Sequence, residues 1–314
     1  MLEEQLLEGY KKYDNLSDKI KIFVSYIKPS FLFKSDILIP IHLGRAVAQE
    51  SSKDGKISED NLKWLYENCI GDNDFDGNIS HENRRIGFLT GTYKAWKNYQ
   101  SIGNPDYFGS FGYRRILKPT YFEELGNVDF IAPAKKSFAK SLKEQFICAH
   151  GEELYNVMIE TLKLNFPEDL ELFNQYFENK SGYFFEIYIL KKELFYPFCE
   201  WIFKILFSLL ETHKERIAVN ATIKFDDLLI DFLETDEKSL TEQVVPKSKG
   251  AELRDIAFIF ERLTGFYLYK LMQNPALKYL EVPVAEIEPP PFFAMKDVIL
   301  AKMREKACAN KGVN

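Results

Sequence analysis

Runs rich in β-branched and aromatic residues alternate along this chain with stretches of helical periodicity, and that alternation limits the folds open to it. Residues 19–27 read as a buried first strand, closed by Pro29 because proline cannot continue a hydrogen-bonded ladder. Helices are predicted from Ser58 and Asp60 through Trp64 to Cys69, and over 82–102, where Ile86, Leu89, Tyr93, Trp96 and Tyr99 recur on one face. Strands follow at 107–112 and 128–133. The pattern turns helical over 137–179, broken at Pro167, then gives a strand at 184–190 and a long buried helix at 192–212. Such alternation implies an α/β domain whose sheet is largely parallel or mixed.

Around this core the organisation is simple. Residues 1–18 are predicted to be a short charged helix, an N-terminal extension to a domain over 19–275. Residues 214–248 are polar and read as a loop or mobile insertion, and a last amphipathic helix is expected at about 250–273. From 276 a linker containing three prolines at 289–291 leads to a basic tail, in which Lys296, Lys302, Arg304, Lys306 and Lys311 outnumber Asp297 and Glu305.

Composition narrows the partners. The chain has 314 residues, 46% hydrophobic and 28% charged, enough for one large domain with a helical portion. A formal net charge of −6 argues against broad nucleic-acid binding, yet a nucleotide ligand needs only a few local cations. Cysteines at 69, 148, 199 and 308 show no metal-ligand spacing and are expected to be buried free thiols. The opening Met-Leu-Glu-Glu-Gln lacks the features of a signal peptide. The most apolar window, 194–210, is interrupted by Pro197, Glu200 and Lys204, short of the roughly 18 apolar residues of a spanning helix. The expectation is a soluble, cytoplasmic protein, with the basic tail either solvated, packed on the domain or lying on an anionic membrane.

Residues 106–115 place an apolar strand directly before Tyr113, Arg114 and Arg115. Ligands of open α/β sheets gather at carboxyl ends of strands, and a guanidinium fork matches phosphate geometry, so this block suits a diphosphate. The plain alternative is surface arginines paired with Glu123 and Glu124. At the end of the first strand, Ser25, Tyr26 and Lys28 stand where a nucleotide would dock, or else form a core tyrosine beside a solvated lysine. His42 lies in an apolar segment and reads as either structural or substrate-facing. The loop Asp72-Asn-Asp74-Phe-Asp76-Gly77 imitates a calcium loop at its first six positions, but Asn83 stands where a bidentate glutamate is needed. A weak calcium site, a catalytic divalent ion on Asp72, Asp74 or Asp76, and a metal-free substrate loop all stay open.

Taken in order, several blocks resemble a bacterial family first catalogued as a domain of unknown function in capsule, O-antigen and exopolysaccharide loci, and since recognised to include galactofuranosyltransferases. They are residues 21–29, 39–44, 70–80, 89–98, the Tyr113-Arg114-Arg115 block, 144–146 with His150, 191–203 and 260–263. The likeness spans roughly residues 20–275. It implies a GT-A-like, Rossmann-type mixed sheet flanked by helices, with a helical C-terminal portion. The implied activity is inverting transfer of a sugar, galactofuranose by resemblance, from a UDP-sugar to an oligosaccharide or lipid-linked glycan. Residues 19–135 would hold the donor and 136–275 the acceptor.

Many GT-A enzymes carry Asp-x-Asp where this chain has Tyr113-Arg114-Arg115, so the arginines are expected to do the work of a metal, assisted by Lys28 or Arg84, with no cofactor required. Asn78, Thr90, Tyr93 and Arg262 join the implied substrate-binding set. His150, whose ordinary pKa suits proton transfer, competes as base with Glu186 and Glu261. Three positions depart from the family pattern: Gly112 replaces a histidine, Phe88 a glutamate and Glu186 an asparagine. A transferase of another sugar, or a silent nucleotide-binding or scaffolding relative, therefore stays open.

Overall fold

Ile20–Tyr26, the first apolar run, forms strand β1 in the middle of the sheet. The computed structural model describes residues 2–50, 56–212 and 255–287. Their elements are α1 (Leu2–Lys11), β1, β2 (Leu38–His42), α2 (Glu59–Asn68), β3 (Ile70–Gly71), α3 (Asn83–Ile86), α4 (Leu89–Lys97), β4 (Tyr107–Gly112), β5 (Arg115–Leu117) and β6 (Phe130–Pro133). There follow β7 (Lys136–Ser137), α5 (Leu142–His150), α6 (Glu152–Asn165), α7 (Leu170–Glu178), β8 (Ser181–Gly182), β9 (Tyr188–Lys191), α8 (Lys192–Thr212), α9 (Asp255–Met272), β10 (Tyr279–Val282) and β11 (Val284–Glu286).

The main path of the sheet is β3-β2-β1-β4-β9-β6-β10, with β5 and β11 joined to it at β4. Along that path β9 runs against β4 and β6, while the other pairs are parallel. This is the mixed α/β sheet expected from the sequence. Alternate residues enter two cores, because successive side chains of a strand face opposite ways. Phe23, Phe108, Tyr188 and Leu190 face the core formed with α4 to α9. Ile22, Val24, Phe111 and Ile189 face the other, closed by α1, α2 and the segment around Tyr121 and Phe122. Burial on both faces explains why the strands read as continuous apolar runs.

Two sequence boundaries move. The 1–18 segment is no appendage: Leu6 and Tyr10 are buried, and the Tyr10 hydroxyl donates to the Leu117 carbonyl at 2.5 Å. A ten-residue helix is marginal in water alone, so packing against the other core is what holds it. The linker expected from 276 instead begins with β10, parallel to β6, and β11, antiparallel to β5. Pro283 between these short strands has the chemistry of a terminator, yet strand pairing resumes after it. The insertion at 214–248, the prolines at 289–291 and the basic tail lie outside the described residues.

Local breaks also differ. The helix predicted over 82–102 divides at Gly87, whose φ of 57° ends α3. The stretch 137–179 breaks at Pro167 as expected and again at Gly151, φ 92°. The strand predicted at 184–190 begins only at Tyr188. Cys69 and Cys199 are free and buried, as expected, and Cys308 lies outside the described residues. No helix among the described residues is long and apolar enough to cross a membrane.

Candidate functional site

The strand order reverses between β1 and β4, and a crevice forms outside carboxyl ends at such a point. Tyr113 lies across it. Its N–H donates to the Ser25 carbonyl at 3.1 Å, and its ring stacks on Tyr26 with centroids 5.4 Å apart. Gly112 pairs with Arg115 in a tight β4–β5 hairpin, whose far side is braced by β11. There Glu286 stands opposite Arg115, and the Ile287 N–H donates to the Arg114 carbonyl at 2.8 Å. The arginine-bearing tip is thus held from both sides. The Arg115 guanidinium lies 4.0 Å from the centre of the Phe185 ring, which Lys136 approaches at 5.1 Å. Buried Nε of Arg115 makes no hydrogen bond among the described residues.

Because β9 runs opposite to β4, its beginning reaches this same edge. Just before it, Phe185 and Glu186 hold φ values of 72° and 57°, left-handed conformations that side-chain-bearing residues seldom adopt. Each costs on the order of 1–3 kcal/mol, so the surroundings must impose them. Glu261 on α9 accepts the Phe185 N–H on Oε1 at 3.1 Å and the Arg262 guanidinium on Oε2 at 2.6 Å. Arg262, only 4% exposed, also donates to Gln145 of α5 at 2.9 Å and lies over the Phe184 ring. Gly265 lets α9 approach this corner, since a Cβ there would stand 2.3 Å from the Tyr183 carbonyl oxygen. Burial and the negative charge of Glu261 push the Glu186 carboxyl well above the ordinary range, against the opposing pull of Arg115 and Arg262.

The acidic loop after β3 has a different character. Asp72 is 1% exposed; it accepts the Gly44 N–H at 2.6 Å, the Arg45 N–H at 3.1 Å and the Ser80 hydroxyl. Asp74 accepts the Gly71 N–H at 2.5 Å and stands 3.8 Å from Arg45 and 3.9 Å from buried Lys94. Asn78 closes the turn by donating to the Phe75 and Asn73 carbonyls. Asp76 is exposed at the loop's outer side. These carboxylates diverge onto separate partners, and no metal-holding group of three acidic, His or Cys side chains exists among the described residues. The calcium-like pattern thus ties much of its charge to its own backbone and to neighbouring side chains.

Other expected ligands make contacts within the protein. Tyr26 is fully buried; its hydroxyl donates to the Phe31 carbonyl and accepts the Phe33 N–H, so its ring is not offered to a base. His42 is 2% exposed, and burial with the nearby Arg45 charge pushes its pKa down to about 4. Its Nδ1 accepts from Arg45 Nε at 3.3 Å, a core role. Thr90 accepts from Asn83 at 3.0 Å inside the α3–α4 corner. Tyr93 packs edge-on against Phe203 and Trp96. Arg84 donates to the Val47 carbonyl and pairs with Glu50 at 3.4 Å. His150 stacks on Phe258 with centroids 4.2 Å apart and touches Phe146, whose ring also lies near Arg262. Ser25, Lys28, Tyr113, Arg114, Arg115, Glu186, Glu261 and Arg262 stay as the candidates that the edge and the corner carry.

Four contributors are not singled out by the sequence reading, Arg45, Gln145, Phe185 and Lys136, although Gln145 lies inside the 144–146 block. Arg45 follows the left-handed Gly44 and ties β2 to α2 by donating to the Cys69 carbonyl at 2.6 Å. A Gly-Arg pair closing a strand is the one clue to it. A larger groove, lined by Lys34, Leu38, Pro40, Glu67 and Ile70, runs along the β2–β3 margin beside the end of α2, away from the carboxylate pair.

Comparison with known proteins agrees with this architecture. A solved structure described as the apo form of the WbbM bifunctional glycosyltransferase is similar with a TM-score of 0.58 and 24% identity, covering 86% of this chain. This chain spans 46% of that one, and the likeness shows a GT-A-like α/β fold. A comparison with curated proteins finds no match. Residues 21–222, well over half of the chain, match the family described as Domain of unknown function (DUF4422), and the chain belongs to that family.

Proposed function

We propose that this chain is a glycosyltransferase that moves a sugar from a UDP-sugar to a growing capsular, O-antigen or exopolysaccharide glycan, with galactofuranose the sugar favoured by the family resemblance. One observation carries the reading: the arginine tip and the Glu186–Glu261 pair meet at one sheet edge, joined where Arg115 lies on Phe185. Fold alone would not license a function, although a bifunctional glycosyltransferase of similar fold supports it.

Breaking the bond between sugar and diphosphate builds negative charge on the leaving group. Arg114 and Arg115, with Lys28 at the end of β1, supply cations on a braced hairpin, and preorganised charge of this kind stabilises a transition state. The reading calls for no divalent ion. An acceptor hydroxyl attacks the anomeric carbon from the face opposite the diphosphate, so configuration inverts. Its proton passes to a carboxylate of the Glu186–Glu261 pair.

A thermal-shift screen against nucleotide sugars, followed by assay of UDP release, tests this. The expected result is a shift with UDP-sugars and slow release of UDP, both lost in the Arg114→Ala, Arg115→Ala double variant. Absence of any response to UDP-sugars removes the proposal. Tight binding without turnover would favour the silent relative, for which Gly112 speaks: a Cβ there would meet nothing within 4 Å, leaving open space where the family pattern has a histidine.

A further inference from the structure

We propose that Glu261 is a positioning residue: with Arg262 and Gln145 it fixes the left-handed Phe185–Glu186 corner and leaves the Glu186 carboxyl as the group that takes the acceptor's proton. The inference rests on the transferase reading for its chemistry, but its geometry stands independently. Both oxygens of Glu261 are engaged within the protein, one on the Phe185 N–H and one on Arg262, whose other arm is held by Gln145. A carboxylate bound in this way is poorly placed to receive a proton from a substrate. Glu186 carries the strained backbone, and such strain persists only where surrounding contacts impose it.

Charges face Glu186 from each neighbouring element. Arg115 comes from β5, Glu261 and Arg262 from α9, and Lys136 from β7 reaches the adjacent Phe185 ring. Tyr188, the first residue of β9, stays neutral because burial pushes its hydroxyl far up. Glu261 therefore acts on Glu186 twice, through the backbone bond that sets its direction and through a negative charge that makes it hold its proton. In the transfer, the acceptor O–H bond breaks as the new C–O bond forms. The proton goes to Glu186 in the fraction of molecules where that carboxyl is ionised, which grows as pH rises, and the electron pair of the old C–O bond leaves with the diphosphate.

Infrared titration of the free protein separates the two roles and needs no sugar turnover. The protonated-carboxyl band that disappears in Glu186→Gln identifies the group. In Glu261→Gln, which keeps an acceptor for the Phe185 N–H but removes the charge, that band is expected to titrate lower by about one pH unit. The acid limb of kcat/KM should move with it, and Glu261→Ala, which also removes the acceptor for the Phe185 N–H, should lower kcat further than Glu261→Gln does. If the band is missing at neutral pH in the parent protein, or is unmoved in Glu261→Gln, the inference is overturned. Since the titration reads the protein alone, it can fail while UDP-sugars still bind and turn over. Conversely, a shifted band in a protein blind to UDP-sugars would sink only the transferase reading.

Discussion

The loop after β3 and the corner before β9 both bring carboxylates to the carboxyl edge of one sheet, yet only the loop is dense in acidic residues, while the corner reads as plain strand. In the loop, Asp72 and Asp74 bind backbone N–H groups of their own neighbourhood, so their charge holds a turn together. At the corner, half-buried Glu186 stands beside another carboxylate on a backbone that disfavours it. The contrast teaches that carboxylate density is a poor guide to chemistry. What matters is whether the chain itself consumes the oxygens, as it does at Asp72, or sets a carboxyl beside another on a strained backbone, as at Glu186.

The strongest test of the contrast is the arginine tip that faces the corner. Replacing Arg114 and Arg115 by alanine should lower the rate of UDP release by about 100- to 1000-fold, the scale of losing preorganised charge at a leaving group. A near-normal rate would break the link between tip and corner. Next comes Asp72→Ala, expected to destabilise the fold by about 3 kcal/mol in urea unfolding, because buried donors at Gly44, Arg45 and Ser80 would lose their acceptor. Little change would mean that the loop does not hold itself as described.

Glu186→Gly should act in the opposite direction, raising stability by about 1 kcal/mol through relief of the left-handed strain while abolishing turnover. The sign of its pH dependence sharpens this further. Folding raises the proton affinity of Glu186, so between the ordinary glutamate range and its raised value the native state binds the extra proton, and stability falls as pH rises. Glu186→Gln should remove that fall, and urea midpoints at pH 5 and pH 8 would reveal it. Smallest is Asp74→Asn, whose ion pairs span 3.8 and 3.9 Å. It should cost under about 1 kcal/mol, since Asp74 itself is 45% exposed, both pairs are long and the asparagine keeps an acceptor for the Gly71 N–H. A larger loss would assign Asp74 a role that the structure does not give it.

Much of the frame is legible in the chain. The run at 20–26, the helix at 59–68 begun by Ser58, and the helix at 192–212 follow from periodicity, proline and capping chemistry, which act over a few residues. Tyr113-Arg114-Arg115 is legible as a strand-end cation block. The corner is not, because nothing in the residues Phe185 and Glu186 announces positive φ. That conformation is imposed by Glu261, 76 positions away along the chain from Phe185. For Tyr26 and His42 the residue type is compatible with either binding or core, and only burial decides between them.

The sequence by itself determined an α/β sheet and the order of its elements, since propensity and hydrophobic period are local properties. It also determined that two adjacent arginines follow a strand. Tertiary structure alone decided that residues 2–11 and 279–286 belong to the body, that Asp72 is a clasp, and that Glu186 lies beside Glu261. Those outcomes depend on pairings between distant segments, where the desolvation and charge that give a side chain its chemistry are set by neighbours the local sequence does not name.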